Sequence, residues 1–295
     1  MRITHSWSDT TATIRVEGLR RTVRVLHVTD SHICLIDQRN AEYLEKNTQY
    51  RDKFAKYRMD AAGNPTHTEA TFPETLLHPD HGAVDLLALT GDIVHFPAAA
   101  SLEAATAAIG KLGAPFFYTS GNHDWCFTGV QCTDENRALY WESLRPLTRG
   151  EPAFALRDIH GVRFIAVDNS NYQIDADQLE RTRAALDAGL PSVVMIHIPI
   201  SLPSLRPEAI KRWAAPILIN DPDWDLPSRN KWGTRADDQT TGEFVRLLTQ
   251  SRNLAAVLCG HIHFPHADSL SSRAMQYVGK PGYEGGFRMI EIAAI

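Results

Sequence analysis

The sequence has few cysteines and no long apolar run. Its 295 residues include only four cysteines, which are too few and too scattered for a disulfide framework. No run approaches the roughly 20 apolar residues that a membrane span requires. The first residues lack the apolar core of a signal peptide. These absences predict a soluble, cytoplasmic protein with reduced thiols and no membrane span.

Positive charge is also scarce. The chain has 30 Lys and Arg residues against 35 Asp and Glu residues, a net charge of −5. A protein that binds nucleic acid irrespective of sequence needs a basic stripe, so no nucleic-acid polymer is expected as a partner. Hydrophobic residues make up 43% of the chain, which is enough for a sizeable core and excludes wholesale disorder.

Short apolar runs that end abruptly in polar or glycine-containing turns dominate the pattern. Five runs rich in Val, Ile and Leu are typical of strands buried on both faces: 23–28, 84–89, 115–118, 193–196 and 254–259. Helical patterns at 99–112 and 175–188 lie between them, and 154–156 with 162–167 predicts a hairpin. This alternation predicts a layered α/β domain with mixed sheets.

Two irregular segments, about 33–82 and 198–239, interrupt the alternation. We interpret them as insertions in one domain that spans residues 1–295, because long irregular segments in compact domains are usually functional or disordered. The first carries a helical stripe of Tyr43, Tyr50, Phe54 and Tyr57. We expect the stripe to pack against the body or a second subunit, which leaves a homo-oligomer open. The second carries Trp213, Trp224 and Trp232, which either pack or form a lid.

Metal-ligating side chains follow each of the five apolar runs. They are Asp30, His32, Asp92, Asn122, His123, His197, His261 and His263. Ligand-binding groups collect beyond the carboxyl ends of strands in open α/β sheets. Asp-x-His and His-x-His place two side chains on the same side of an extended segment. Carboxylate, amide and imidazole groups without cysteine suit Zn, Mn or Fe better than a soft metal.

The number of candidate ligands favours two ions over one. Leaving out His123 gives seven, whereas a catalytic zinc takes three protein ligands plus water. Paired ions roughly 3.5–4 Å apart clamp the attacking and leaving oxygens of phosphoryl transfer. Two divalent ions, two carboxylates and a hydroxide leave a charge near +1, which attracts an anionic phosphate ester despite the acidic chain. The predicted cofactor is two divalent or mixed-valence transition metal ions (Mn, Fe or Zn).

The motif series resembles the calcineurin-like metallophosphoesterase family. Asp30-Ser31-His32, Gly91-Asp92, Gly121-Asn122-His123-Asp124, a lone His197 and Gly260-His261-Ile262-His263 occur in the family's order. The resemblance implies a four-layer α-β-β-α sandwich of two mixed sheets with a dinuclear site on its rim. It also implies a first metal held by Asp30, His32, Asp92 and His263, and a second held by the bridging Asp92 with Asn122, His197 and His261.

The resemblance further implies catalytic roles. His123 would contact the phosphate and protonate or stabilise the leaving oxygen, and a metal-bridging hydroxide would attack in line. Three residues beyond the bridging aspartate, purple acid phosphatases place a tyrosine and protein phosphatases an aspartate that helps orient the catalytic histidine. This chain has His95 at that position. Two roles are open for His95: it either supports the metal ligands from behind or contacts the substrate. The orienting group of His123 is therefore unassigned, and Asp124 is the candidate.

The compact form of the last motifs is similar to class III cyclic-nucleotide phosphodiesterases and their glycerophosphodiesterase relatives. The resemblance implies a dimetal hydrolase of a small-molecule phosphodiester of the cyclic-nucleotide or glycerophosphodiester type. A phosphomonoesterase or nucleotidase using the same site is the main alternative. A non-catalytic protein-binding scaffold is the remote one, because such scaffolds usually lose the catalytic histidine or several ligands, which are all present here.

Overall fold

The computed structural model describes residues 1–126 and 131–295. The strands within this part of the chain are β1 (Ile3–Trp7), β2 (Thr11–Val16), β3 (Val23–Val28), β4 (Leu86–Thr90), β5 (Phe116–Thr119), β6 (Phe154–Ile159), β7 (Val162–Val167), β8 (Ser192–Met195), β9 (Leu254–Cys259), β10 (His266–Ser269), β11 (Met275–Val278) and β12 (Arg288–Ala294). The α-helices are α1 (Leu44–Ala55), α2 (Thr68–Leu76), α3 (Ala99–Leu112), α4 (Asp134–Tyr140), α5 (Arg145–Thr148), α6 (Ala176–Asp187), α7 (Leu205–Trp213), α8 (Leu226–Lys231) and α9 (Gln239–Gln250).

The strands form two six-stranded mixed sheets. The first has the order β1-β2-β12-β3-β4-β5 and the second the order β10-β11-β9-β8-β7-β6. Strands β3, β4 and β5 run parallel, as do β7, β8, β9 and β11, whereas the outer hairpins β1–β2 and β6–β7 are antiparallel. Within each of these two parallel sets, neighbouring strands therefore end side by side.

The described elements form four layers, and an apolar core lies between each neighbouring pair of layers. One core joins the inner faces of the two sheets and includes Val25 and Leu86 from the first and Phe164 and Leu258 from the second. A second core covers the outer face of the first sheet with α2 and α3, and a third covers the outer face of the second sheet with α6 and α9. This α-β-β-α arrangement confirms the predicted fold class.

The buried strands were predictable, but several other elements were not. All five apolar runs are strands, residues 99–112 form α3 as predicted, and the predicted hairpin is β6–β7. Helix α1 confirms the helical piece predicted within 33–82, whereas α2, α7 and α8 make the segments 33–82 and 198–239 more regular than predicted. The hairpin β1–β2 was missed because β1 has only one buried residue and β2 alternates, so that neither strand has a continuous apolar run.

Among the described residues, no helix combines the length and the apolar character that crossing a membrane would require.

Phe164 tests the core between the sheets. Its ring is fully buried on β7, so we expect Phe164→Ala to lower the free energy of unfolding by about 3–5 kcal/mol. Leu156 on the adjacent strand β6 is 43% exposed, and Leu156→Ala is the matched control, with an expected loss of about 0.5 kcal/mol or less. Denaturant unfolding measures both. Equal losses would contradict the placement of Phe164 in the core.

Candidate metal centre

Two groups of side chains converge where the central strands of both sheets end. Asp30, His32, Asp92 and His263 form the first group, and Asp92, His197 and His261 form the second. Within each group the potential ligand atoms all lie within 4.8 Å of one another, and Asp92 belongs to both. All are buried except His263, which is partly buried. The grouping contains the same side chains as the two sites that the resemblance implies, apart from Asn122.

The backbone at these residues is turned, not extended. Asp30, His32, Asp92, His261 and His263 all have positive φ, between 46° and 74°. L-residues other than Asn and Asp rarely adopt this left-handed region, and each costs of the order of 1–3 kcal/mol. The expectation that Asp-x-His and His-x-His lie on an extended segment is therefore wrong. The side chains converge because the chain curls at each strand end.

Two glycines of the motifs are required by close packing. A Cβ atom on Gly121 would collide with the carboxylate and backbone nitrogen of Asp92. A Cβ atom on Gly260 would collide with the side chains of Thr29 and Asp30. The loops that carry the ligands thus touch one another through glycine backbone.

Hydrogen bonds behind the ligands orient three imidazoles. His197 places Nδ1 2.7 Å from the carbonyl oxygen of Thr90, and His261 places Nε2 2.9 Å from the hydroxyl of Tyr172. His32 places Nδ1 3.0 Å from Nδ1 of His95. The second ring nitrogen of His197 has no hydrogen-bond partner among the described residues, and that of His32 lies 3.1 Å from Nε2 of His263, another candidate ligand. Metal-ligating histidines usually bond a supporting group through one nitrogen in this way and keep the other for the ion. The structure therefore puts His95 behind a candidate ligand.

The centre is a buried negative charge surrounded by imidazoles. Burial works against an ionised Asp92, but the neighbouring His197, His123 and His32 hold the pKa of its carboxyl well below the usual range. Burial also opposes a charged His197, yet the Asp92 carboxylate 3.3 Å away raises the pKa of His197 to about 9. Burial lowers the pKa of His32 and His261. Neutral imidazoles have the lone pair that a cation needs.

The unpaired atoms of the centre fit metal ions. Within the described part of the chain, Asp92 Oδ2, Asn122 Oδ1 and His197 Nε2 are buried without a hydrogen-bond partner. A buried acceptor left unpaired costs about 1–3 kcal/mol. A cation would satisfy all three atoms together, and this mixture of carboxylate, amide and imidazole donors suits a transition metal.

Asp124 organises the loops and does not orient His123 as expected. Its carboxylate accepts hydrogen bonds from the backbone N–H groups of Asp92 (2.8 Å), Val94 (2.9 Å) and Gly121 (2.8 Å), and from the hydroxyl of Tyr118 (2.9 Å). These contacts tie the loop after β4 to the loop after β5. The carboxylate is therefore committed to backbone donors, one of which belongs to Asp92.

Packing positions His123. Its backbone N–H donates to Asp92 Oδ1 at 2.8 Å, and its ring stacks on His95 with centroids 4.6 Å apart. Its Nδ1 is buried and has no hydrogen-bond partner among the residues described. His95 thus contacts both a candidate ligand and the candidate catalytic histidine. Of the two roles left open for it, these contacts favour the one behind the metal ligands.

Sequence reasoning missed further supporting residues. Asn169 reads as a turn residue, yet its Oδ1 accepts the backbone N–H groups of His197 and Ile198, each at 3.0 Å. Tyr172, which bonds His261, carried no motif at all. The segment 33–82 also reaches the site, because Phe54 stacks on His32 with centroids 4.6 Å apart. The predicted packing of the aromatic stripe against the body is confirmed for Phe54.

Asp124→Asn tests the role of the Asp124 carboxylate. An amide replaces one accepting oxygen with a donor, so at least one of the four donors loses its partner. We expect the free energy of unfolding to fall by about 1–3 kcal/mol, measured with a chelator present so that bound metal does not contribute. Asp177→Asn, whose side chain is 74% exposed, is the control. Equal stability of the two variants would remove Asp124 from this role.

Comparisons with known proteins concern the fold and the family. No curated protein matches the sequence significantly. The fold is similar to a dimetal phosphatase from Danio rerio, with 10% identity, coverage of 90% of this chain and 91% of that chain, and a TM-score of 0.54. It is also similar to a purple acid phosphatase from yellow lupin (Lupinus luteus), with 12% identity and a TM-score of 0.55. That match covers 93% of this chain but only 46% of the lupin chain.

The family comparison covers most of the sequence and includes every candidate ligand. Residues 23–265 match the model of the calcineurin-like phosphoesterase family. Because this match covers far more than half of the chain and agrees with the strand-end ligand series, the chain belongs to the calcineurin-like phosphoesterase family.

Proposed function

We propose that this chain is a dimetal phosphodiesterase that acts on a small molecule. The observation that carries the proposal is a pair of cavities that meet at the candidate metal centre. The larger, of about 590 Å³, and the smaller, of about 330 Å³, share four lining residues: Tyr50, His123, Trp213 and His263. Two of these, His123 and His263, belong to the centre itself.

Two cavities match the shape of a phosphodiester. A diester carries organic groups on two of its oxygens, so a scissile phosphate at the centre needs room on both sides. A monoester carries one such group and needs one cavity. The larger cavity is walled by Tyr172, Ile217 and Trp232, which offers apolar surface to a nucleoside-sized group.

The metal ligands are part of the proposal. Asp30, His32, Asp92 and His263 would hold one ion, and Asp92, Asn122, His197 and His261 would hold the other. When bound, the pair supplies positive charge to the phosphate and lowers the pKa of water. The buried carboxylates and the oriented imidazoles would hold the ions, and Asp124 keeps the Asp92 loop in place.

His123 is the proposed catalytic residue. It lines both cavities, so its ring would lie beside a scissile phosphate bound where they meet. Burial lowers the pKa of His123, so its ring is neutral at pH 7 and has one N–H to donate. A histidine in this position can contact a phosphate oxygen and stabilise the leaving oxygen as the ester bond breaks.

Elemental analysis tests the metal centre. After expression with added Mn, Fe or Zn, we expect about two ions per chain in the wild type. The His261→Ala variant should retain about one ion per chain, because it loses a ligand of one group. The Asp92→Asn variant should retain fewer ions than His261→Ala, because Asp92 belongs to both groups. Asp177→Asn should match the wild type. Metal-free wild-type protein under every supplementation would refute the proposal.

A pair of chromogenic substrates tests the reaction. We expect the metal-loaded protein to have a higher kcat/KM for bis-p-nitrophenyl phosphate than for p-nitrophenyl phosphate. His123→Ala should lower kcat for the diester by about 10²- to 10⁴-fold without loss of bound metal. His160→Ala, a change in a surface turn, is the control and should keep wild-type kcat. Hydrolysis of the monoester alone would contradict the diesterase proposal and favour a phosphomonoesterase.

A further inference from the structure

We propose that the smaller cavity is a subsite for an anionic group on one arm of the substrate. The preferred substrate class is then a phosphodiester in which one arm ends in a second negative charge, such as a carboxylate or a phosphate. This inference rests on the proposed function and deepens it, because it specifies the chemistry of one of the two arms.

The charge of the cavity wall carries the inference. Lys53 from α1 and Arg212 from α7 line the cavity, and no Asp or Glu is among its described lining residues. Neither cation forms an ion pair within the described part of the chain, whereas Arg58, Arg206 and Arg229 do. In a chain with a net charge of −5, two unneutralised cations on one small cavity form a local field of opposite sign.

Aromatic rings hold these cations at the cavity. Lys53 Nζ lies 5.1 Å from the ring centroid of Tyr50, and Arg212 Cζ lies 5.5 Å from the ring of Trp213. Both rings line the cavity as well. Cation–π contacts of this length restrain long side chains that would otherwise be free in solvent. The two positive charges are therefore kept where a substrate arm would end.

The remaining walls suit the body of such an arm. Phe54, Tyr57 and Tyr283 line the cavity with aromatic rings, and Phe54 stacks on the candidate ligand His32. Their ring centroids lie 5.0 Å apart in the pairs Phe54–Tyr283 and Tyr57–Tyr283. A flat or apolar spacer fits against these faces. The cavity thus pairs an apolar wall near the phosphate with a cationic end.

The larger cavity has a weaker charge preference. Lys231 is its only charged lining residue among those described, and its walls hold amides, thiols and aromatic rings. The charged arm should therefore enter the smaller cavity and the neutral arm the larger one. This asymmetry orients a substrate with two unlike arms across the metal centre.

Two matched diesters test the subsite. Both release p-nitrophenol, and the other arm is a phenyl ring with a 4-carboxylate in one and the near-isosteric 4-carboxamide in the other. The carboxylate would form two partly exposed charge pairs, one with Lys53 and one with Arg212. We therefore expect the wild-type kcat/KM to be about tenfold higher for the carboxylate substrate than for the carboxamide. Lys53→Met and Arg212→Met should each reduce this ratio to about threefold, and the double variant should bring it close to one.

Control variants come from the same helices. Lys46→Met on α1 and Lys211→Met on α7 each remove one positive charge, but neither residue lines the cavity. Both should keep a ratio near tenfold, because solvent and salt screen an exposed charge that lies away from the cavity. A wild-type ratio near one, or an undiminished ratio in the double variant, would overturn the inference.

Binding separates this inference from the proposed function. Calorimetry on the metal-loaded protein uses hydrolysis-resistant benzylphosphonate monoesters that carry the same carboxylate or carboxamide. The wild type and the controls should bind the carboxylate analogue about tenfold more tightly than the carboxamide analogue, whereas the double variant should bind both equally. If no diester is hydrolysed, the proposed function fails, yet these affinities still decide the subsite. Equal affinities of the two analogues would reject the subsite even for an active diesterase.

Discussion

The buried carboxylate of Asp92 is the constraint on which the site depends. It belongs to both ligand groups, its Oδ1 accepts the backbone N–H of His123, and its own N–H donates to Asp124. Its other oxygen is buried without a hydrogen bond in the described part of the chain. An uncompensated buried charge costs several kcal/mol, so a cationic partner is needed. The raised pKa of His197 reflects the same requirement.

The fold supplies the rigidity that this arrangement needs. Five candidate ligand residues have left-handed backbone, which is unfavourable unless the surroundings impose it. Parallel strands packed between three apolar cores end together and bring their loops into contact. Gly121 and Gly260 allow these loops to touch, and the Asp124 carboxylate joins two of them. The energy of burying the cores thus offsets the strain at the rim.

The two flanking segments connect the metal centre to the choice of substrate. Helix α1 contributes Phe54 against His32 and Lys53 at the smaller cavity, and α7 contributes Arg212 and Trp213. Both helices lie in the segments that read as irregular insertions in the sequence. The motif residues thus belong to the strand ends, while the residues proposed to distinguish substrate arms belong to the helices of these two segments.

The sequence alone determined the buried strands, the α/β class and the ligand series. A short continuous apolar run such as 254–259 is typical of a strand that is buried on both faces of a sheet. The polar residues that follow such runs therefore lie beyond the carboxyl ends of the strands. It did not reveal the β1–β2 hairpin, whose half-exposed strands lack that signal.

Only the tertiary structure decided how the ligands point and what supports them. His32 points toward the centre because its backbone is left-handed. Hydrogen bonds from Asp124 and from Asn169 then join loops that follow different strands. Hydrogen bonds between distant segments have no local pattern, because their partners become neighbours only when the sheets pack. For the same reason, Lys53 and Arg212, 159 positions apart in the sequence, form one cavity wall only in the folded chain.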